Sequence, residues 1–574
     1  MSADFQVTGR NPKAPFTMKL HRGDGMALVA MNWKSGKPPK DFVGFAIEYK
    51  EPKGDRFFVL NNRLSFAEAD GSVKEGAAPT TLAPIQKFRW IHFPRNAELP
   101  GEFLYRVTPV FMNSADELSY GEPQEAPIEL RRETYPRQLN VAFTRGFVSS
   151  QAFVDRFESQ GPISSLLPAK ADDGLGFKPT HPDAKDALAW MGFEARHAIL
   201  ELLDQAIADK KAQVRVVAYD LSEPDVVSRL ERLGSRLKVI IDDDGPHGKA
   251  HSGETQSETR LRASAGDAHV KRQHMGKLQH NKTIVVDGPK LRAAVCGSTN
   301  FSWRGFFVQA NNAVVVRGKA PVKHFLEAFD AYWDNDDVAG FSQTGSAGLT
   351  DLGLTGIDVR VAFSPHGKQN ALLETIADDV GDIGKTTKSC VLYSLAFLYQ
   401  TEGPVRDAIE KVTKDDDIFV YGISDRKVGG IDLQKPDGNV QPVKPAALGK
   451  GAPEPFKSEP TGGSGNRMHH KFVVIDFDKP TARVYLGSYN FSSAADVKNG
   501  ENLLVIRDQR IAVSYAVEAL RIFDHYHFRV AQQEAKTARK RLELAKPPRA
   551  AGQKPWWDEY YTNRQKVRDR ELFA

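Results

Sequence analysis

Apolar residues change their spacing near residue 135. Before it they alternate with polar ones in short runs, Met26–Trp33, Phe42–Tyr49, Arg56–Leu60, Phe88–Phe93 and Phe103–Phe111, separated by Gly/Pro turns. A period of two turns one face of each run toward a core, so residues 1–130 are predicted to form an all-β sandwich. Trp33 and the alternating Phe103, Tyr105 and Val107 are its expected core. Farther on, short apolar runs alternate with segments whose apolar residues recur every three or four positions, the pattern of strands interleaved with helices. Leu139–Gly146 (L-N-V-A-F-T-R-G) and Val359–Gly367 (V-R-V-A-F-S-P-H-G) open two successive halves almost identically. Helices at Glu194–Ala208 and Ala371–Val380 follow in parallel, then strands at Val214–Tyr219 and Ser389–Phe397. Further helices contain Pro224–Leu233 and Pro404–Val412, and further strands lie at Lys238–Asp242 and Asp417–Ile423. Each half closes on a helix, Val322–Trp333 or Ile511–Phe528. This is an internal duplication: two α/β lobes, 137–345 and 355–530, related by a pseudo-twofold axis. A charged helical and aromatic-basic tail, 531–574, follows.

The halves also share a polar signature. Leu278–Asp287 reads L-Q-H-N-K-T-I-V-V-D and places His280, Lys282 and Asp287 in the spacing H-x-K-x4-D. Met468–Asp476, M-H-H-K-F-V-V-I-D, repeats it with His469, Lys471 and Asp476. A small-residue turn follows each copy, Gly297-Ser298-Thr299-Asn300 and Gly487-Ser488-Tyr489-Asn490. On a strand, residues two apart share a face, so each His stands beside its Lys. An imidazole beside an ammonium suits a phosphate group: the Lys supplies charge, and the His attacks or donates a proton near neutral pH. Ser298, Asn300, Ser488 and Asn490 add neutral groups for phosphate oxygens. One such pair alone reads mostly as a solvated strand end; two copies with matching turns do not.

These paired motifs closely resemble the HKD motifs of the phospholipase D superfamily, over about residues 137–530. That family includes phospholipases, phosphatidyl transferases, bacterial endonucleases and tyrosyl-DNA phosphodiesterases. The resemblance implies a fold of two phospholipase D-like α/β lobes. It also implies a chemistry in which one histidine attacks phosphorus and becomes a phosphohistidine. The other lobe's histidine then protonates the leaving alcohol and activates water. Lys282, Lys471 and the turn donors neutralise the phosphoryl oxygens, so no metal or other cofactor is called for. Asp287 and Asp476 complete the catalytic motifs. Glu501 lies eleven residues after Asn490, and Asn311 eleven after Asn300. In the family, an acidic residue of this type in the second half orients the first-half histidine. Carried over, Glu501 contacts His280, the nucleophile, and Asn311 supports His469, the general acid and base. The N-terminal sandwich resembles a fibronectin type III or immunoglobulin-like domain, which implies either docking of a protein partner or a rigid spacer.

Composition narrows the setting. Hydrophobic residues at 41% and charged residues at 26% fit a soluble globular chain. A net charge of only +5 over 574 residues means that any nucleic-acid surface must be a local patch. Two cysteines, Cys296 and Cys390, exclude a disulfide framework, and no Cys/His cluster has zinc spacing. The first residues lack an apolar signal core and no run is long enough to span a bilayer, so a cytoplasmic protein without integral membrane association is expected. Signal-less secretion as an effector is the alternative. Two polar insertions, Asp242–Leu278 and Arg426–Arg467, precede the motifs and are expected to be binding loops or disordered segments at the rim of the site. The first ends in the basic run His269–Lys277. It also holds Asp242-Asp243-Asp244 with His247 and His251, which reads first as a solvated turn and second as a metal site. Pro555–Tyr561 (P-W-W-D-E-Y-Y) reads equally as a base-stacking segment or as an aromatic plug.

Gly487–Ile506 closely resembles the corresponding stretch of small bacterial HKD endonucleases. With the basic run and the tail, it favours hydrolysis of nucleic-acid phosphodiester bonds. The alternatives are a phospholipase D acting on phosphatidyl lipids and a non-catalytic polyanion-binding protein. Two intact motifs weigh against the last.

Overall fold

The computed structural model describes residues 5–574 except 69, 71, 74–75, 131–132, 147–150, 399–402, 426–430, 437–438, 444–467 and 541. The chain divides into two compact units. One comprises Met1–Arg132 and Val513–Ala574, the other Glu133–Ala512.

In the first unit, alternation becomes two antiparallel sheets. One has the order Gln6–Thr8, Phe16–Arg22, Ala27–Trp33, Arg89–His92. The other has Leu118–Tyr120, Glu102–Met112, Phe42–Lys50, Phe58–Val59, with Gln124–Glu129 also paired to Glu102–Met112. Phe16, Met18, Leu20, Val29 and Met31 face Phe45, Ile47, Phe103, Tyr105 and Val107 in one core. Trp33 differs from expectation: it ends its strand half-buried and packs against Phe42 at 5.1 Å. The core tryptophan is Trp557, from the other end of the chain, with Trp556 stacked on Phe88 at 5.4 Å. The aromatics of Pro555–Tyr561 are therefore consumed by packing. The tail's last helix, Arg564–Phe573, is held to this sandwich by Arg89, which pairs with Asp569 at 2.8 Å.

The second unit holds two mixed sheets built in the same order. In the first lobe the order is Leu139–Phe143, Asn312–Arg317, Arg292–Gly297, Lys282–Asp287, Gln213–Ala218, Leu237–Ile241, Val270–Arg272. In the second, Asp358–Ser364, Glu501–Arg507, Arg483–Gly487, Lys471–Ile475, Cys390–Leu395 and Phe419–Asp425 repeat the first six. Both motif strands are central and fully covered, which explains their unbroken apolar character. The duplication is thus a duplication of topology.

The first insertion is not a loop. It carries a helix, Gly253–Ala265, and the edge strand Val270–Arg272. Its apolar stripe is thin, and other groups hold it: Ser252 Oγ caps the helix by accepting from Thr255 N, and Glu258 pairs with Arg262 and Arg272 at 2.9 Å each. Polar helices fixed by a cap and ion pairs leave little periodic signal. The basic run that follows is paired internally: Arg272 with Glu258, Lys271 with Asp336, His274 with Asp243. The second insertion adds a hairpin, Ile431–Gln434 with Val440–Val443, to its sheet, and its remainder from 444 to 467 lies outside the described residues. Among the described residues, no helix is long and apolar enough to cross a membrane.

Candidate active site

The chain just before each motif strand crosses to the other lobe. Gly500 N donates to Leu278 O at 2.9 Å and Gly276 N to Lys498 O at 3.1 Å. On the opposite side, His469 N donates to Ala310 O at 3.2 Å. Deeper in the seam, Asn502 Nδ2 donates to Asn281 Oδ1 at 2.7 Å, and Gly297 N donates to Asn502 Oδ1 at 3.2 Å. This is why His280 and His469, 189 positions apart in sequence, have ring centres 6.4 Å apart at 67°.

Each imidazole is held by the other half. His280 Nδ1 lies 2.7 Å from Glu501 Oε2, and His469 Nδ1 lies 2.8 Å from Asn311 Oδ1. Both Nδ1 atoms are engaged, so Nε2 is the nitrogen each ring keeps for substrate. Asn311 Nδ2 donates to Gly305 O at 2.9 Å, which fixes the amide with its oxygen toward His469. Lys282 Nζ donates to the carbonyl of His280, and Lys471 Nζ to that of His469 at 2.9 Å.

The charge environment is set by burial. His280, His469, both lysines and Glu501 are all 5% exposed or less. Burial, reinforced by the neighbouring lysines, holds both imidazoles well below their usual range. Burial also pushes Lys282 down to about 8 and Glu501 up to about 8, the latter against the pull of Lys282. Near neutral pH Lys282 thus stays largely protonated while Glu501 tends to take up a proton, and a phosphodiester anion would complement that balance.

The turns do two different things. Gly297 and Gly487 have φ of +129° and +149°; a Cβ there would stand 2.6 Å from Asn312 O and 2.1 Å from Asn502 O. Ser298 Oγ donates to Asn311 Oδ1 at 2.9 Å and accepts from Asn312 N at 3.0 Å. Ser488 Oγ accepts from Asn502 N at 2.9 Å and Asn502 Nδ2 at 3.1 Å. Ser298 thus engages Asn311, which holds His469, and Ser488 engages Asn502, the neighbour of Glu501. Among the described residues, Asn300 and Asn490 instead keep a buried amide oxygen without a partner, an acceptor that needs a donor; only their Nδ2 groups could face a phosphoryl oxygen.

The two aspartates are not brought to the histidines. Asp287 ends its strand half-exposed and pairs with Arg292 at 2.8 Å. Asp476 is fully buried five residues beyond Lys471 and accepts from Ser389 N at 2.8 Å and Lys388 N at 3.0 Å. At a rise of about 3.3 Å per residue both lie roughly 16 Å from their lysines. They anchor the far ends of the motif strands.

Several residues of the site had no motif to mark them. Asn281 and Asn502 join the lobes; the shared register of Asn311-Asn312 and Glu501-Asn502 was the available signal. The Tyr219 ring packs edge-on against His280 at 4.6 Å and lies 4.7 Å from Lys282 Nζ. Asp220, His247 and Glu254 bring three ligand-type atoms within 4.8 Å of one another. His247 there bridges two carboxylates, with Nδ1 2.8 Å from Asp242 and Nε2 3.2 Å from Asp220. Burial lowers its pKa, but the two carboxylates outweigh burial and lift it to about 10. A protonated ring thus already meets the cluster's need for positive charge. His251, placed with it by sequence, is exposed and approaches Asp172 at 3.9 Å.

A duplicated α/β unit that joins two His-Lys pairs across a pseudo-twofold seam defines a class, and the chain belongs to it: the phospholipase D superfamily, with two phospholipase D-like domains. The family described as "Cardiolipin synthase, PLD-like domain" matches residues 200–333 and 381–523, one segment per motif. The chain is 47% identical over 47 residues to the phospholipase D of Rickettsia conorii (strain ATCC VR-613 / Malish 7), a stretch that is 8% of this chain and 22% of that enzyme. It thus spans about a fifth of the length of the curated relatives it matches. Among solved structures it is similar to phosphatidylserine synthase of Haemophilus influenzae Rd KW20, at 11% identity and a TM-score of 0.40, over 67% of this chain and 94% of that one. It is also similar to Nuc, a phospholipase D family member from Salmonella typhimurium, at 26% identity and a TM-score of 0.20, over 24% and 87% of the two chains.

Proposed function

We propose that this chain is a phosphodiesterase that works through a covalent phosphohistidine on His280, with His469 as acid and base and nucleic acid as substrate. One observation carries the chemistry: two buried imidazoles 6.4 Å apart, each tied at Nδ1 to a different kind of group. Glu501 is a carboxylate and stabilises the positive charge that His280 gains on attack; Asn311 is neutral and leaves His469 freer to give up a proton. In the first step the Nε2 lone pair of His280 forms the N–P bond. The P–O bond to the leaving group breaks, and that oxygen takes the proton from Nε2 of His469, which burial and the lysines keep neutral until the bound phosphodiester anion beside it favours the protonated ring. In the second step His469 Nε2 takes a proton from water, whose oxygen attacks phosphorus, and the N–P electrons return to His280. Lys282, Lys471, Asn300 and Asn490 face the phosphoryl oxygens.

The nucleic-acid reading rests on Gly487–Ile506, the stretch that resembles small HKD endonucleases. The basic run and the aromatic tail, paired and packed as they are, add nothing to it. Phosphatidyl lipid is the second reading, favoured by the curated relatives named phospholipase D. Plasmid, single-stranded DNA, RNA and phosphatidylcholine vesicles, incubated side by side with EDTA, decide between them. Cleavage of a nucleic acid in EDTA, weakening steeply with salt, is the expected result. Release of choline alone would replace the substrate, and loss of all activity in EDTA restored by magnesium would replace the mechanism.

A further inference from the structure

We propose that His247, bridging Asp242 and Asp220, is a positioning residue that locks His280 in its attacking orientation. The inference rests on His280 being the nucleophile.

The bridge ends on reacting elements at both sides. Asp242 is fully buried, and its Oδ1 accepts from Gln279 N at 2.6 Å, the residue just before His280. Its Oδ2 takes His247 Nδ1 at 2.8 Å. From Nε2 the chain of contacts continues to Asp220 Oδ1 at 3.2 Å. Ser302 Oγ donates to Asp220 Oδ2 at 3.3 Å, two residues beyond the turn that ends at Asn300. One ring therefore ties the entry of the first motif strand to the turn that follows its hairpin. Tyr219 fills the space between: its ring stands 4.5 Å from the His247 ring and 4.6 Å from the His280 ring, edge-on to both. A shift of His247 must move Tyr219, and Tyr219 is the wall against which His280 rests.

Among the described residues, the Tyr219 and Asp220 positions differ between the lobes, whereas Asp425 matches Asp242 in register. Ala218 and Leu395 sit opposite Lys282 and Lys471 in equivalent registers, so Ala396 stands at the position of Tyr219 and Phe397 at that of Asp220. The second lobe thus places an apolar ring 5.9 Å from its lysine where the first places a carboxylate. The carboxylate at this position stands in the lobe that carries His280, whose Nδ1 faces Glu501 of the other lobe. The charged or titratable groups around His247 are Asp220, Asp242, Glu254 and Tyr219, with Lys282 and Arg304 acting on Asp220.

The test uses the full chain and bis(p-nitrophenyl) phosphate, whose leaving group needs little acid assistance. Single-turnover release of p-nitrophenolate reports the attack of His280 alone. His247→Gln should slow that release about 10- to 100-fold at saturation. The half-saturating concentration and the thermal transition should stay nearly unchanged, and free imidazole should restore much of the rate in His247→Gly. Asp220→Asn, which keeps the side-chain shape, should show the same slowing without rescue by imidazole; it decides the matter if the His247 variants fail to fold. Release at the parental rate in a folded variant overturns the proposal, as does a loss of rate matched by a loss of affinity. The phosphorylated histidine of the parent chain is mapped by mass spectrometry after denaturant trapping. Phosphate on His280 with no effect of His247 removes only this inference. Phosphate on His469 removes the underlying assignment and this inference with it.

Discussion

Glu501 Oε2 stands 2.7 Å from Nδ1 of His280, and the two residues come from opposite lobes, 221 positions apart. The other carboxylate oxygen accepts from Asn499 Nδ2 at 3.2 Å. A carboxylate so placed keeps the imidazole proton on Nδ1 and Nε2 open. A protonated Glu501 would donate to Nδ1 instead and force the ring proton onto Nε2, the nitrogen that must attack.

The rate of His280 attack should therefore follow the ionisation of Glu501. Burial raises this carboxyl to about 8; because Lys282 also loses its proton at about 8, the single-turnover rate should fall above that region and climb with pH on a limb below it. Glu501→Gln should remove that limb and lower the plateau about 10- to 100-fold with the fold intact. A pH–rate profile of parent and variant checks both; an unchanged limb in the variant assigns it elsewhere.

The two histidines should fail differently. With bis(p-nitrophenyl) phosphate, His469→Ala should still release one equivalent of p-nitrophenolate and then stall, because the second step lacks its base. The trapped phosphate should lie on residue 280. His280→Ala should show no burst at all. Rapid-quench kinetics with peptide mapping reads the outcome, and a burst from His280→Ala would refute the assignment.

Acid stability should depend on the same pair. Both imidazoles are held well below their unfolded values, chiefly by burial. A depressed folded pKa contributes stability that is fully present above about 6.5 and lost as pH falls, because only the unfolded state takes up the proton. His280→Gln/His469→Gln should lose stability less steeply than the parent between pH 7 and 5. Parallel urea titrations across that window test it, and equal slopes would mean the rings are not buried as described.

The amide pair across the seam should couple energetically. Asn502 Nδ2 and Asn281 Oδ1 are buried at 2.7 Å, and removing either leaves its partner unsatisfied, at about 1–3 kcal/mol. Asn281→Ala with Asn502→Ala should cost less than the sum of the singles. A double-mutant cycle in denaturant measures this, and strict additivity would show that the bond contributes nothing.

The tail should be part of the sandwich in energy as well as in place. Trp557 is 5% exposed within that core, so Trp557→Ala should destabilise the first unit by about 3–5 kcal/mol. Calorimetry should show the loss. For the same reason a chain truncated to begin near Tyr135 strips the partner from Trp556, Trp557 and Phe573, and the tail should be removed with the sandwich.

Local chemistry determined what the sequence discloses by itself. Period-two alternation, the H-x-K spacing and the repeated G-S-x-N turn are properties of a few neighbouring residues, and a strand must express them wherever it packs. Hence both motif strands, their flanking elements and the duplication are legible, as are the Phe103, Tyr105 and Val107 face and the register that matches Glu501 to Asn311. What the tertiary structure alone decided depends on partners that no short sequence window reveals, from the next turn of chain to the opposite end of it. Asp287 and Asp476 share the motif spacing but lie at the far strand ends, because a strand separates residues by its rise. Ser298 and Ser488 look like phosphate donors until Asn311 and Asn502 engage them. The helix Gly253–Ala265 rests on a cap and ion pairs and shows only a thin apolar stripe. Trp557 rather than Trp33 enters the sandwich core, and His247 meets Asp220 and Tyr219. In each case the deciding term is a long-range burial or hydrogen bond, which no local period encodes.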